Sequence, residues 1–362
     1  MKRKKAALYN PYLDTLGGGE KYILSILKVL EDEGYSLDIF WNENLQDDFK
    51  VKFNLSFDYR INFVPNIFAN KLGLIKKLIR LKKYDYFFYV TDGSYFFSSA
   101  KKNFIYAMIP QPSLYKKTRI NKLKLANYKF ITHSKFTQKH LSNSEIDSIL
   151  LYPYLDQEFV LAEPVSFRKE KIILSVGRFF KHLHAKNQDK IIKGFKELKK
   201  TDKSFRDYKL ILAGGLKQED MSYFNRLKKI VKNDRSILLK PNVTFHELYD
   251  LYKRASFYWH FSGLGVDENT HPEEVEHLGI TPLEGMSMGC LTFCVNSGGP
   301  KENIQDGKTG FLFVTENELF KKMKIIMNKP QDQTKIRNNA KEYILDHFAF
   351  TKFKKNVREL IL

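Results

Sequence analysis

Glu276-His277-Leu278-Gly279-Ile280-Thr281-Pro282-Leu283-Glu284-Gly285-Met286-Ser287-Met288-Gly289 is the stretch on which the fold turns. Two glutamates enclose seven residues, and Pro282 stands where a helix can open, because a first turn has no use for the N–H that proline lacks. Helix starts expose backbone N–H groups to which an anion or a ligand hydroxyl can bind. Thr281, Pro282 and Glu284 also fit an N-cap, a first-turn proline and a third helical residue, so Glu284 has a purely structural reading as half of a capping box. Glu276 has one as well, as an exposed loop carboxylate.

The neighbouring blocks bear on that choice. Downstream lie the apolar strand Leu291-Thr292-Phe293-Cys294-Val295, the turn Asn296-Ser297-Gly298-Gly299-Pro300 and the segment Asp306-Gly307-Lys308-Thr309-Gly310. Upstream lie Ser175-Val176-Gly177-Arg178-Phe179 and Lys186-Asn187-Gln188. In this order the blocks resemble the donor-binding domain of the retaining nucleotide-sugar glycosyltransferases of family 4, whose α/β fold is called GT-B. The resemblance covers nearly the whole chain and implies two Rossmann-like domains facing each other across a cleft. It implies an acceptor-binding domain over residues 1–155, a C-terminal helix over about 345–362 packed back on that domain, and a donor-binding domain over 165–340.

Bulk properties agree with such a protein. A chain of 362 residues suits two α/β domains better than one core, and 43% hydrophobic residues let both be filled. No apolar run reaches the ~18 residues of a spanning helix, and Met1-Lys2-Arg3-Lys4-Lys5 leads into too short an apolar segment for a signal peptide. The expectation is a cytoplasmic protein, free or peripheral on the inner membrane face. Cys290 and Cys294 flank one strand without metal or redox spacing and read as reduced core residues.

Lys plus Arg number 61 against 41 Asp plus Glu, a formal charge of +20, which points to a polyanionic partner: nucleic acid, an anionic membrane surface or phosphorylated substrates. In the helix 71–83, Lys71-Leu72-Gly73-Leu74-Ile75-Lys76-Lys77-Leu78-Ile79-Arg80-Leu81-Lys82-Lys83, basic and apolar residues alternate at helical spacing. Such a helix either lies on an anionic bilayer or packs its apolar stripe on a sheet with the lysines solvated. A nucleic-acid-binding protein is the non-enzyme alternative. No binding module is recognisable and the aromatic residues fall in strand-like runs, so no nucleic acid is expected as a partner.

Taken in order, Lys5-Ala6-Ala7-Leu8-Tyr9 reads as a buried strand, Asn10-Pro11-Tyr12 as its exit, and Leu16-Gly17-Gly18-Gly19-Glu20 as the loop feeding a helix through Ile23, Ile26, Leu27 and Leu30. Strand, glycine loop and helix let bare backbone approach a phosphate or sugar, although consecutive glycines are not the dinucleotide fingerprint and, taken alone, read first as a plain flexible loop. Strands over 37–41, 86–90 and 104–108 alternate with helical stretches, which implies a mostly parallel sheet. His133 and Ser134 read as sheet-edge and capping residues. Pro153 and Pro164 mark a linker over 152–168. A second α/β unit follows, and after Thr315 two helical stretches complete the chain.

Sugar transfer from a nucleotide sugar builds negative charge on the leaving diphosphate, and preorganised cations and N–H donors that meet this charge usually dominate the rate. The resemblance assigns Arg178 and Lys186 to the diphosphate, Glu276 to the transferred sugar and Glu284 to the ribose hydroxyls, a task suited to an ionised carboxylate. It makes Glu276, Arg178 and Lys186 the catalytic candidates. Ile280, Thr281, Gly298 and Gly299 are implied as donor contacts, and Gly18 and Gly19 as the glycine loop facing the cleft. His260 and His277 flank the site and are expected to be structural. Met108 stands where many relatives carry a histidine near the donor sugar, so no catalytic residue is expected there.

Retention of anomeric configuration is also implied, with the leaving phosphate helping to accept the acceptor's proton. No cofactor and no metal are expected, since no acidic or histidine cluster of ligand spacing stands out and Arg and Lys can replace a divalent cation. The loop Ser262–Val275 departs from the general family. The Glu-His-x-Gly-Ile block and Asn10-Pro11-Tyr12 are similar to a branch that includes dolichol-linked oligosaccharide mannosyltransferases and bacterial surface-polysaccharide enzymes, which implies a glycan or lipid-linked acceptor. The rival enzyme reading is a GT-B-fold nucleotide-sugar epimerase or hydrolase.

Overall fold

Runs such as Tyr86-Phe87-Phe88-Tyr89-Val90 have no polar face, so they can form only strands covered on both sides. The computed structural model, which describes residues 4–58, 61–69, 72–161, 169–182 and 185–362, builds two parallel sheets from such runs. The chain divides into one unit of Met1–Pro153 with Phe353–Leu362 and another of Tyr154–Lys352. Residues 162–168 of the expected linker, Pro164 among them, lie outside the described residues, as does Lys71.

In the first unit the described strands are β1 Lys5–Tyr9, β2 Ser36–Phe40, β3 Ile61–Val64, β4 Tyr86–Val90, β5 Lys102–Tyr106, β6 Tyr128–Thr132 and β7 Ser148–Leu150, in the order β3-β2-β1-β4-β5-β6-β7. The second unit has β8 Glu170–Val176, β9 Lys209–Gly214, β10 Ile237–Pro241, β11 Ala255–His260, β12 Leu291–Val295 and β13 Phe311–Phe313, in the order β10-β9-β8-β11-β12-β13. Each order reverses once, between β1 and β4 and between β8 and β11. The loops leaving such a pair diverge, and open α/β sheets place their ligands in the gap.

Several boundaries differ from the sequence reading for identifiable reasons. β5 ends at Tyr106, so Ala107 and Met108 already belong to the loop beyond it. Gly17 caps the helix Gly18–Asp32, which places Gly18 and Gly19 in its first turn; Glu20 folds back so that its Oε2 accepts the Gly17 N–H and the Thr15 hydroxyl, each at 2.8 Å. The basic segment forms the helix Leu74–Leu81, in which Leu81 is buried while Leu74, Ile75 and Ile79 stay exposed. Its apolar stripe is thus only partly used for packing.

Three helices rather than two follow Thr315: Glu316–Met327, Pro330–Phe348 and Phe350–Leu360. Ile336, Ala340, Ile344 and Phe348 are buried on the middle one, which belongs to the second unit, so the expected 345–362 helix is in fact split at Ala349. From Phe353 onward the last helix belongs to the first unit, where Phe353 and Val357 are buried and Lys354 pairs with Asp32 at 2.6 Å. Among the described residues, no helix is long and apolar enough to cross a membrane.

Candidate functional site

The second sheet's reversal point gathers several of the residues singled out from sequence, while Gly18 and Gly19 lie in the other unit. β8 delivers Gly177 and Arg178, and the helix Gln188–Thr201 begins just after Lys186. Asn187 takes a left-handed conformation (φ 53°) there and donates its side-chain amide to the Phe261 carbonyl at 2.8 Å, anchoring the helix start to the end of β11. The stem of Lys186 crosses the bare face of Gly177, where a Cβ would lie 2.4 Å from Lys186 Cγ. The glycine therefore serves the approach of the lysine.

Lys186 Nζ reaches Glu276 Oε2, and the same oxygen accepts a hydrogen bond from His260 Nε2 at 2.9 Å. A carboxylate only accepts, so the neutral ring of His260 carries its proton on Nε2. Burial pulls the His260 pKa below the usual imidazole value, with Lys186 acting the same way and Glu276 opposing them. His260, the last residue of β11, thus grips Glu276 from beneath. Arg178 is exposed, and its guanidinium lies 4.5 Å over the ring of Phe180.

Glu284 is not part of a capping box. The helix Ile280–Ser287 is capped two residues earlier than Thr281 would cap it, at Gly279, whose φ of 94° suits glycine. Thr281 is thereby inside the helix, where its hydroxyl accepts from Tyr258 at 2.9 Å. The Glu284 carboxylate instead accepts from the Tyr252 hydroxyl at 2.8 Å, and that hydroxyl also reaches the Thr281 carbonyl at 3.1 Å. Burial, reinforced by the Glu284 charge, raises the Tyr252 pKa well above the usual phenol value, so it remains a donor. Tyr252 sits on the helix Phe245–Arg254, far from the motif in sequence, and composition offers no signal for its role.

The Gly298–Gly299 turn is fitted against Glu276. A Cβ at Gly298 would lie 2.1 Å from the Glu276 carbonyl oxygen, and one at Gly299 2.3 Å from Leu278 Cα. The expectation that both N–H groups face donor oxygens is not what this structure contains. Gly298 donates to Glu268 Oε2 at 2.6 Å and Gly299 to the Glu276 carbonyl at 2.7 Å. The glycines are required by backbone contact.

In the first unit, Gly19 makes room for Met108, whose sulfur would lie 2.0 Å from a Cβ there; a Cβ at Gly18 would meet nothing within 4 Å. Ser134 caps the helix Lys135–Asn143, and His133 Nδ1 shares a hydrogen bond with the Tyr106 hydroxyl at 3.1 Å, the capping and sheet-edge roles read from sequence. Among the described residues, one group of ligand-type side chains brings its atoms within 4.8 Å of one another: His271, Glu273 and Glu274, a trio the sequence reading passed over. His271 and Glu274 are exposed, and the three are close because they are near neighbours on one short turn.

The profile of the family described as Glycosyl transferases group 1 matches residues 156–343, the span that holds this site. The chain is 25% identical over 349 residues to the alpha-1,3/1,6-mannosyltransferase ALG2 of Dictyostelium discoideum, covering 94% of this chain and 78% of that protein. It is 29% identical over 209 residues to the GDP-Man:Man(3)GlcNAc(2)-PP-Dol alpha-1,2-mannosyltransferase of Mus musculus, covering 54% of this chain and 40% of that protein. Among solved structures, Anabaena Alr3699/HepE in complex with UDP superposes with a TM-score of 0.73 at 13% identity, over 98% of both chains. A glycosyltransferase from Rickettsia africae does so with a TM-score of 0.74 at 16% identity, over 99% of this chain and 98% of that one.

Proposed function

As a member of the glycosyl transferases group 1 family with the GT-B fold, this chain is a glycosyltransferase, and we propose that it moves a mannosyl-type sugar, with retention, from a nucleotide diphosphate donor to a glycan or lipid-linked acceptor. The observation that carries the reading is the convergence of Lys186 and His260 on one carboxylate oxygen of Glu276, with the Tyr252-held Glu284 on the helix that follows, at the second sheet's reversal point. Names of relatives include GDP-Man as donor and a dolichol diphosphate-linked glycan as acceptor, which makes that pair the first to test.

In this reading Glu284 accepts from the ribose hydroxyls while Tyr252 keeps it aligned. Arg178 and Lys186 meet the charge that grows on the leaving diphosphate, and that electrostatic stabilisation lowers the barrier. Lys186 must pass from Glu276 to the phosphate as donor binds, which leaves Glu276, still held by His260, to accept from the sugar hydroxyls. The bond from the anomeric carbon to the diphosphate oxygen breaks as the acceptor oxygen attacks on the same face, and the acceptor's proton goes to the departing phosphate. Two protein cations supply the positive charge, so the reaction is proposed to need no metal.

The helix Leu74–Leu81 is proposed to rest on an anionic membrane surface that carries the acceptor, because its Ile75 and Ile79 stand 73% and 69% exposed among basic residues. The deciding experiment incubates the protein, with chelator present, with GDP-, UDP- and dTDP-sugars and a membrane lipid extract, following nucleotide release and product mass. Release from one donor, with an acceptor heavier by one sugar residue, supports the reading. Isomerised or hydrolysed sugar without such a product would favour an epimerase or hydrolase instead.

A further inference from the structure

We infer that Glu268 is a positioning residue for the sugar-transfer site, tying the loop Ser262–Val275 to the Gly298–Gly299 turn and thereby holding Glu276 in place. The inference rests on the reading of Glu276 as the carboxylate at the transferred sugar. Successive N–H groups of the turn donate to the middle of the loop and to the residue that follows it: Gly298 to the Glu268 carboxylate at 2.6 Å and Gly299 to the Glu276 carbonyl at 2.7 Å. Glu268 uses its other oxygen to accept from Lys301 Nζ, also at 2.6 Å. Both of its bonds are charge-assisted, the stronger class of hydrogen bond.

The surfaces so joined have no slack. Beyond the 2.1 Å approach to backbone at Gly298, a Cβ at Gly263 would lie 2.5 Å from the Ser297 side-chain Oγ, so the loop and the turn are closely fitted at both places. The chain around the anchors is locally ordered by Asp267, just before the first, whose Oδ1 accepts from the Asn269 N–H at 3.0 Å, and by the buried side chain of Val275, just before the second. Fixing the second half of the loop at two points before substrate arrives means that its ordering entropy does not oppose the reaction step.

Electrostatics separates this role from anion binding. The Glu268 charge offsets that of Lys301, so this corner offers a diphosphate little net attraction, whereas Arg178, just past β8, is exposed. Glu268 therefore acts through Glu276 and the turn. None of this is visible in sequence order, because Glu268 and Gly298 are 30 residues apart.

The full chain is tested as Glu268→Ala and Glu268→Gln, with GDP-mannose and lipid extract as substrates and with amide hydrogen exchange of the 297–303 segment as an activity-independent readout. Glutamine keeps an oxygen that can accept from the Gly298 N–H. The expected result is that Glu268→Ala lowers kcat by about 10- to 100-fold with the donor KM within about threefold, since a misplacement near 1 Å costs on that order. Glu268→Gln should stay within about threefold of the unsubstituted protein in both, and exchange at Gly298 and Gly299 should quicken in the alanine variant only. Unchanged kcat in Glu268→Ala, an equal loss in both variants, or unchanged exchange would each overturn the inference. If the unsubstituted protein turns over no GDP-mannose, it is the donor reading that fails, and the exchange comparison alone decides the role of Glu268.

Discussion

The Lys186–Glu276 pair is half-buried, the two side chains being 13% and 15% exposed, and breaking such a pair leaves the remaining charge poorly compensated. Lys186→Ala and Glu276→Ala should therefore each lower Tm, and the double variant should lose less than the sum of the two, a non-additivity that thermal melts of all three would detect. In activity the variants separate. Glu276→Ala should lower kcat by about 10²–10³, as expected of a group acting on the reacting sugar, whereas Glu284→Ala should raise the donor Kd with a smaller effect on kcat. Tyr252→Phe removes one hydrogen bond from Glu284 and should weaken donor binding by about tenfold or less, measured by nucleotide titration.

His260 adds a pH dependence. Its folded pKa lies below the ordinary 6.5, so protons favour the unfolded chain; its share of stability is complete above about pH 6.5 and is lost as pH falls through the folded value. The groups that face it are Glu276 and Lys186, with the Tyr258 ring 6.4 Å away and Cys294 beside it on β12. Urea melts from pH 7.5 to 5 should show this slope, and His260→Asn should flatten it. An unchanged slope in that variant would sink the assignment.

At the scale of elements, the short helices Leu74–Leu81 and Arg119–Leu125 belong together. Leu81 and Leu125 pack into the same cluster of the first unit, and the segment between β4 and β5 ties both, Ser99 Oγ donating to the Leu78 carbonyl at 2.5 Å and Asn127 donating to the Ser98 carbonyl at 2.8 Å. Residues 74–83 and 116–125 each hold five basic residues and no acidic one. Outward, Ile120 and Leu123 are 62% and 68% exposed, like the isoleucines of the first helix. Replacing Ile75, Ile79, Ile120 and Leu123 with serine should cut co-sedimentation with anionic vesicles by at least about tenfold at unchanged Tm, because each exposed apolar group contributes to insertion but little to folding. Raised salt should weaken binding of the unsubstituted protein, since each lysine near such a surface contributes about 1 kcal/mol. The first of these helices was legible in the alternation of its sequence. The second was not, for its apolar residues Ile120, Leu123 and Leu125 are outnumbered by polar ones and mark no continuous stripe.

At the scale of the whole molecule, a protein that binds its donor only when folded is stabilised by it in proportion to the logarithm of concentration. Tm should rise with the cognate nucleotide diphosphate sugar and remain flat with others, with or without chelator; a rise that needs added divalent cation would overturn the proposed metal independence. The +20 charge suits phosphorylated substrates and an anionic surface alike, and the vesicle and nucleotide measurements separate the two contributions.

Sequence alone determined the α/β class, the two-unit plan and the neighbourhood of the site, because those rest on local patterns: apolar runs that must be buried strands, turns rich in glycine, and the order in which Arg178, Lys186, Glu276 and Glu284 recur. It placed β1, β4 and β12 to the residue, since an apolar run ends where burial ends. What only the tertiary structure decided is which atoms meet. Tyr252 and Glu284 are 32 residues apart, Lys186 and Glu276 are 90, and Gly19 lies under Met108, from the loop that leaves β5. Such pairs follow from the register of parallel strands and the divergence of loops at a reversal point, quantities that no local stretch of sequence encodes.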